Sequence, residues 1–517
     1  MKVSTINKKP VSINRALISV FDKTGIVEIA KKLDSLNIEI ISTGGTASSL
    51  RKANINVISV SEFTGFPEVM DGRIKTINPL VEGGILGLRD KHKVEASKVN
   101  IKWIDLVICN LYPFEKIINE DNVSLSKVYE NIDIGGPTMI RSAAKNVGWV
   151  SVLTDAKDYN DYILELSKKK SISYETRKKL SAKAFKISAN YETTIHNFFN
   201  EKKFPDSFSL NLKKYSDLRY GENPHQLAAA YKITGKKSNN ILSSKIIQGK
   251  KLSYNNLMDS NANLNCLFEF KKPTCVIIKH ANPCGVAIGR NIKDSFLKAF
   301  NCDNLSAFGG IVGLNEICDE DTAVEINKIF FEVVLAPGFT GKAIKILSKK
   351  KNLRLIEFNK KYSRNNSLEY RDLNGGLLIQ ESDIFNISKN DLKIVTKLKP
   401  KTKYVENMLF GWKVLKHIKS NAILIVKNFK TIGIGAGQVS RIDSVNIAIN
   451  KSLEDLSESV LCSDAFFPFR DSIDKIANTG IKTIIQPGGS IKDDEVIQAC
   501  NEHKISMIFT GHRCFKH

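Results

Sequence analysis

Short apolar runs alternate with amphipathic stretches through the first part of the chain. Arg15 to Phe21 (RALISVF) reads as a strand, and Thr24 to Leu36 follows with helical apolar spacing. Ile38 to Ile41 is a second strand, followed by a helix from about Thr46 to Ala53. Trp103 to Cys109 (WIDLVIC) is a further buried strand. Helices are predicted over Met139 to Asn146, Ala156 to Lys168 and Tyr174 to Phe199. This alternation argues for a parallel sheet covered on both faces, which binds ligands at the carboxyl ends of its strands.

The pattern breaks at Asn200 to Lys214, where Pro205 and polar neighbours read as a linker between domains. The division expected is 1–203, a linker over 204–214, and a second α/β region over 215–517. Strand candidates there are Cys275 to Lys279, Gly310 to Leu314, Ala422 to Val426, Thr431 to Ile434 and Thr483 to Gln486. Helix candidates are Asp259 to Phe270, Asp294 to Phe300, Asp319 to Phe330 and Asp493 to His503. Phe358 to Ser367 is polar and reads as an exposed loop. No internal sequence repeat is visible.

The 517 residues suffice for about three compact units. Hydrophobic residues at 42% and charged ones at 25% exclude wholesale disorder. The net charge of +23 suggests anionic partners. The lysines are scattered rather than set in one aromatic-studded stripe, so a solvated surface is favoured over nucleic-acid binding. The nine cysteines are irregularly spaced without a C-x-x-C, against a disulfide framework or a zinc ribbon. Met1 to Arg15 has no apolar core of a secretory signal, and no apolar run reaches membrane-spanning length. A reduced, cytosolic protein is expected.

Three turns of the first region resemble anion cradles: Asp22-Lys23-Thr24-Gly25, Ser42-Thr43-Gly44-Gly45-Thr46 and Asp133-Ile134-Gly135-Gly136-Pro137-Thr138. Each opens a helix, whose free N–H groups and positive dipole end favour a phosphate. Arg73, Lys75 and Thr76, Asn110 and Tyr112, and Asp133 with Lys145 add cations, a phenol and a carboxylate. That set suits an anionic ligand and proton transfer at a carbonyl. In the second region Lys279-His280-Ala281-Asn282-Pro283-Cys284-Gly285 leaves an apolar strand through an Asn-Pro turn. It lacks the H-x-E and P-C-x-x-C of zinc deaminases, since Asn282 and Ala287 stand at the diagnostic positions, so no zinc is expected.

At these residues the chain resembles the bifunctional purine-biosynthesis family, in which a phosphoribosylaminoimidazolecarboxamide (AICAR) formyltransferase is fused to an inosine monophosphate (IMP) cyclohydrolase. The segments that carry the resemblance are SVFDKTG, STGGT, TGFPEVMDGRIKT, CNLYPF, IDIGGPTMIRSAAKN, LRYGENPHQ, IKHANPCG, SAFGGIVGLNE, APGF, GIGAGQ-x-SRID, SDAFFPFRD and the terminal FKH. The resemblance implies an α/β protein with an N-terminal methylglyoxal-synthase-like domain. A formyltransferase of two cytidine-deaminase-like units follows, its site at a homodimer interface. It further implies 10-formyltetrahydrofolate as co-substrate, no tightly bound cofactor, and room for a structural monovalent cation.

Carried over by residue, the resemblance implies that Lys23, Thr24, Ser42, Thr43, Gly44, Gly45, Thr46, Arg73 and Thr76 bind the nucleotide of the cyclohydrolase. Lys75, Tyr112, Asp133 and Lys145 should surround the ring-closing atoms. In the transferase, His280 is the implied base and Lys279 steadies the oxyanion or the leaving nitrogen. Arg219, Tyr220, Asn256, Arg441 and Arg513 should contact the nucleotide. Asn421 is implied at the transfer centre, and Phe466, Pro468, Asp471 and His517 at the folate. One departure is Asn78, where the family commonly has His after K-T-L. Asn cannot titrate as His does, which puts the cyclohydrolase rate in question.

Overall fold

The structure is a computed structural model and describes residues 5–234, 240–360 and 368–517. It divides into two units, one running to Leu212 and rejoined at Ile233, the other from Lys213 onward. The polar linker expected over 204–214 is shorter than read. Asn211 donates through Nδ2 to the Asn190 carbonyl, 2.8 Å away, and a strand, β6 (Leu212–Asp217), already begins at Leu212. Of the polar loop read over Phe358 to Ser367, all but 358–360 lies outside the described residues.

The first unit is built on a five-stranded sheet, order β3-β2-β1-β4-β5. Its strands are β1 (Arg15–Val20), β2 (Glu39–Ser42), β3 (Ile58–Ser59), β4 (Leu106–Asn110) and β5 (Ser151–Leu153). Every pairing is parallel, with Leu17 opposite both Ile41 and Val107. The central strands carry unbroken apolar runs, Ala16 to Ile18 and Leu106 to Cys109, because helices cover both faces. Helix α1 (Ile26–Ser35) buries Ile26, Ile29, Ala30 and Leu33, one stripe at helical spacing.

Four further helices are α2 (Gly44–Lys52), α3 (Pro79–Leu86), α4 (Gly135–Lys145) and α5 (Tyr159–Lys169). The long α6 (Tyr174–Phe199) is capped by Ser173. Both α2 and α4 start earlier than the apolar spacing predicts, because Gly44-Gly45 and Gly135-Gly136-Pro137 form their first turns. Proline is tolerated in a first turn, where its missing N–H has no partner to lose.

The second unit contains a 12-stranded mixed sheet whose two halves repeat one topology. The first half runs β8 (Lys245–Gln248), α7 (Tyr254–Leu267), the hairpin β9 (Thr274–Lys279) with β10 (Asn282–Ile288), and α8 (Ile292–Phe300). Three strands alternating with two helices complete it: β11 (Ile311–Leu314), α9 (Glu320–Asn327), β12 (Val333–Ala336), α10 (Gly341–Leu347) and β13 (Arg354–Glu357). After a separate exposed hairpin of β14 (Leu368–Leu373) and β15 (Gly376–Glu381), the second half repeats the series. It runs β16 (Lys393–Ile394), α11 (Thr402–Leu415), β17 (Ile423–Lys427), β18 (Lys430–Gly435) and α12 (Arg441–Lys451). It ends with β19 (Val460–Ser463), α13 (Asp471–Ala477), β20 (Thr483–Gln486), α14 (Asp493–Glu502) and β21 (Ser506–Phe509).

The halves meet where β10 pairs antiparallel with β18, and the Val286 amide donates to Thr431 Oγ1. One core covers both halves on the face of α7 and α11, with Trp412 fully buried in it. The other face carries a separate core for each half.

The repeat extends to individual residues. His280 and Ala281 have φ of 53° and 59°, and Asn428 and Phe429 have φ of 50° and 57°. Each pair forms the two-residue turn of its hairpin, with the left-handed backbone that such turns need. The Asn-Pro turn read at 282–283 is therefore corrected: the turn is His280-Ala281, and Asn282-Pro283 begins the return strand. A bulge follows in both hairpins, at Cys284 and at Ile432, and a bulge accommodates Pro283. A Cβ on Gly285 would stand 1.9 Å from the Ala299 carbonyl, and one on Gly433 2.2 Å from that of Ala448. Among the described residues no helix is long and apolar enough to cross a membrane.

Candidate active sites

In the first unit β1 is followed in sequence by β2 on one side and neighbours β4 on the other, the point at which open α/β sheets bind ligands. The strand ends there surround a cavity of about 440 Å³ lined by Lys23, Thr43, Gly45, Arg73, Lys75, Thr76, Asn110, Tyr112, Asp133 and Gly135, among others. Asn110 shapes the first rim: its Oδ1 accepts the amides of Phe21 and Asp22, and its Nδ2 donates to the Asp22 carbonyl.

Thr43 precedes α2 with no side chain capping it, and Gly44 has φ of 35°. Lys75 Nζ lies 3.4 Å from where a Gly44 Cβ would stand and 3.7 Å from Glu68. The ammonium and the helix N-terminus thus converge. At the start of α4, the Gly136 amide donates to Asp133 Oδ1 at 2.8 Å. A Cβ on Gly135 would meet Thr76 Oγ1 at 2.6 Å, so glycine permits the close approach. Burial pushes the Asp133 carboxyl above its ordinary range against hydrogen bonds from Gly136 and Tyr112 and the charge of Lys75. Burial and the nearby Asp133 push the Tyr112 phenol up as well.

The structure gives some expected side chains hydrogen-bond partners within the protein. Ser42 is fully buried and donates to the Ile18 carbonyl. Thr46 borders the cavity, but its hydroxyl donates to the Val20 carbonyl and accepts the Val20 amide. Thr24 is held by Asp22, whose Oδ1 accepts both its amide and its hydroxyl. These three side chains shape the loops. Lys145 is exposed at the far end of α4, ten residues from Gly135 and so about 15 Å along the axis. It does not join Asp133 within this chain. Asn78 caps α3, its Oδ1 accepting the Leu80 amide at 2.8 Å.

In the second unit two cavities of about 500 and 730 Å³ flank the segment that follows β18. Lys279, His280, Asn282, Gln438 and Lys451 line the first. Asn421, Arg441, Phe466, Pro468, Asp471 and Arg513 line the second. Lys279 Nζ donates to the Phe308 carbonyl at 2.8 Å, which aims the ammonium. The Lys419 amide donates to Asn282 Oδ1, tying the His280 hairpin to the stretch that carries Asn421. Asn421 Nδ2 donates to the carbonyls of Gln438 and Val439, holding the partition between the cavities. Cys284 lines the first cavity, and burial pushes its thiol up to about 12, so it is no thiolate at neutral pH.

Arg441 lines the second cavity, yet its guanidinium is committed inside the protein. It donates to Ser463 Oγ, to the fully buried Asp464 and to Asn421 Oδ1. It orients Asn421 instead of reaching out. Asn256 is buried in the capping box of α7 with Ser253. Arg219 and Tyr220 stack on each other in the connection between β6 (Leu212–Asp217) and β7 (Ala229–Ile233). None of these three lines either cavity. His517 stands against Phe515, a wall of the second cavity, and its carbonyl accepts Arg371.

Sequence reasoning missed Phe308, Asp259 and the Asp303–Lys451 ion pair at 2.9 Å. Phe308 lies in the SAFGG motif, a signal that was present. Asp303 and Lys451 belong to different halves, and no spacing announces their contact.

A family model described as the AICARFT/IMPCHase bienzyme matches residues 143–451, and one for the MGS-like domain matches residues 25–138. A bifunctional purine biosynthesis protein PurH from Acetivibrio thermocellus is 48% identical over 513 residues, covering 98% of this chain and 100% of its own length. Proteins of the same name from Persephonella marina and a Thermoanaerobacter species are 48% and 49% identical, each over 97% of this chain and 99% of their own. A solved structure titled "Crystal structure of ForH" is 33% identical over 37% of this chain and 100% of its own, with a TM-score of 0.34.

Proposed function

The chain belongs to the AICARFT/IMPCHase bienzyme family and carries out the last two steps of purine biosynthesis as AICAR transformylase and IMP cyclohydrolase, and from this premise we propose how its residues divide the two reactions. The transformylase uses 10-formyltetrahydrofolate as co-substrate.

Ring closure belongs to the cavity of the first unit. The observation that carries this is the meeting of two helix N-termini, Lys75 and a half-buried carboxyl at the sheet's switch point. The backbone of Thr43-Gly44-Gly45 with Lys23 and Arg73 holds the phosphate. The carboxamide nitrogen attacks the formyl carbon. Asp133, its proton affinity raised by burial, takes the nitrogen's proton, and Lys75 steadies the developing alkoxide. The protonated Asp133 and the Tyr112 phenol then each give a proton to that oxygen, which leaves as water while the former formamide nitrogen returns its proton to the tyrosinate and the C=N bond of the ring forms.

Formyl transfer belongs to the second unit. His280 takes the proton of the attacking amine as the nitrogen bonds the formyl carbon. The bond from that carbon to the folate nitrogen then breaks, and the proton passes to that nitrogen. Lys279, aimed by the Phe308 carbonyl, stabilises the oxyanion. The folate ring fills the cavity of Phe466, Pro468 and Arg513, with Asn421 at the transfer centre. Arg219 and Tyr220 stand on an exposed ribbon outside both cavities, which supports a homodimer in which they serve a second copy's nucleotide. A cytosolic enzyme and the absence of nucleic-acid partners complete the reading.

The test is His280→Ala in single-turnover formyl transfer, with cyclisation of pre-formylated nucleotide as the control. Transfer should fall at least ~100-fold while cyclisation is spared, because a positioned base contributes about 10²–10⁴-fold. Transfer within a few-fold of wild type would remove His280 from the mechanism.

A further inference from the structure

We propose that Asp259 is the positioning residue of formyl transfer, and this rests on the reading of His280 as the base. Asp259 projects from α7 beneath the catalytic hairpin and is 9% exposed. Its Oδ2 accepts the His280 amide at 3.2 Å and its Oδ1 the Ala281 amide at 2.7 Å. Both residues have positive φ, which costs energy for any residue with a Cβ and most readily suits Asn, Asp or Gly. His tolerates this region better than most residues but Ala has no preference for it, and the pair lacks the Asn-Gly or Asp-Gly sequence that such turns favour. The paired carboxylate oxygens supply what the turn residues lack, and charge-assisted hydrogen bonds are the strong kind.

The repeat supplies an internal comparison. Asn407 on α11 occupies the place of Asp259, and its Oδ1 accepts the Phe429 amide at 2.8 Å. Its Nδ2 donates to the Lys403 carbonyl, so Asn407 offers the Asn428 amide no second oxygen. Lys427 repeats Lys279, its Nζ donating to the Asp455 carbonyl as Lys279 donates to that of Phe308. The turn without a catalytic histidine thus has a single clamp, and its first residue, Asn428, suits the left-handed region unaided. The turn with His280 has the double clamp. A carboxylate gives each amide an oxygen of its own, whereas a side-chain amide held in the same place would set its one oxygen to one amide and an N–H against the other.

The experiment compares Asp259→Asn, Asp259→Ala, Asn407→Ala and His280→Ala in the full-length enzyme. It measures kcat and nucleotide KM of formyl transfer, with thermal melting beside them. Asp259→Asn should fold as wild type, since Asn serves at the equivalent place, while an N–H now faces the His280 amide. Its kcat should fall about 10-fold or more with KM within twofold, because ångström-scale misplacement of a catalytic group costs up to about 10²-fold. Asp259→Ala should fall further, and Asn407→Ala should keep kcat within twofold. Wild-type kcat in Asp259→Asn beside an inactive His280→Ala would overturn the inference alone. So would an Asn407→Ala loss equal to that of Asp259→Asn, which would mark a generic hairpin effect. An active His280→Ala would overturn the base assignment and the inference with it.

Discussion

Replacing Lys75 by alanine should disable ring closure and leave formyl transfer intact. The ammonium sits between the first turn of α2 and Asp133, with its side chain 31% exposed. A preorganised donor aimed at a developing oxyanion is worth about 10²–10³-fold, or ~3–4 kcal/mol. Water reaches part of this side chain and screens it, so the lower end, about 10²-fold, is expected. A second effect has a definite sign. The charge of Lys75 pulls the Asp133 carboxyl down against the burial that raises it. Without the lysine that carboxyl rises further. A base acts only while deprotonated, so the acid limb of cyclisation should move to higher pH. The assay is the initial rate of IMP formation from formylated nucleotide across pH, with formyl transfer by the same preparation as control. A loss below about fivefold, an equal loss of both activities, or an acid limb displaced to lower pH would refute the assignment.

Asn78→Ala should cost about 1 kcal/mol of stability in the first unit by orphaning the Leu80 amide, with cyclisation little changed; a large rate loss with an unchanged melt would give Asn78 a chemical role. Burial opposes the charge of Glu269, but hydrogen bonds and charge from His417 and Lys416 hold its carboxyl down at about 2, against an ordinary 4.5. That depressed value contributes stability present above pH 4.5 and lost as pH falls towards 2, of order ~3 kcal/mol. Wild type should therefore lose more stability than Glu269→Gln over that range in denaturant titrations, and parallel losses would contradict the pairing. A fragment ending at Leu212 should fold and cyclise supplied formylated nucleotide, since its sheet and core are complete within it; a folded but inactive fragment would count against the division of labour.

Whatever depends on neighbours along the chain was legible in the sequence. RALISVF forms a buried strand because parallel strands under helices are apolar on both faces, and Gly44-Gly45 forms the first turn of a helix where Gly44 takes a positive φ. The Lys279-His280 pair stood out for the same local reason, at the end of an apolar run. What a polar side chain does with its hydrogen bonds was not legible. Ser42, Thr46 and Arg441 have the chemistry of ligand contacts, yet buried donors must find partners, and here strands, loops and Asp464 satisfy them. Lys145 follows Asp133 closely in sequence, but a helix carries it a full axis length away. The twofold repeat stayed hidden because backbone pairing and burial constrain topology much more tightly than identity. Only positions such as Lys279 and Lys427, or Gly285 and Gly433, need the same residue in both halves. Tertiary structure alone set Asp259 beneath His280, because their contact joins a helix and a hairpin 21 residues apart.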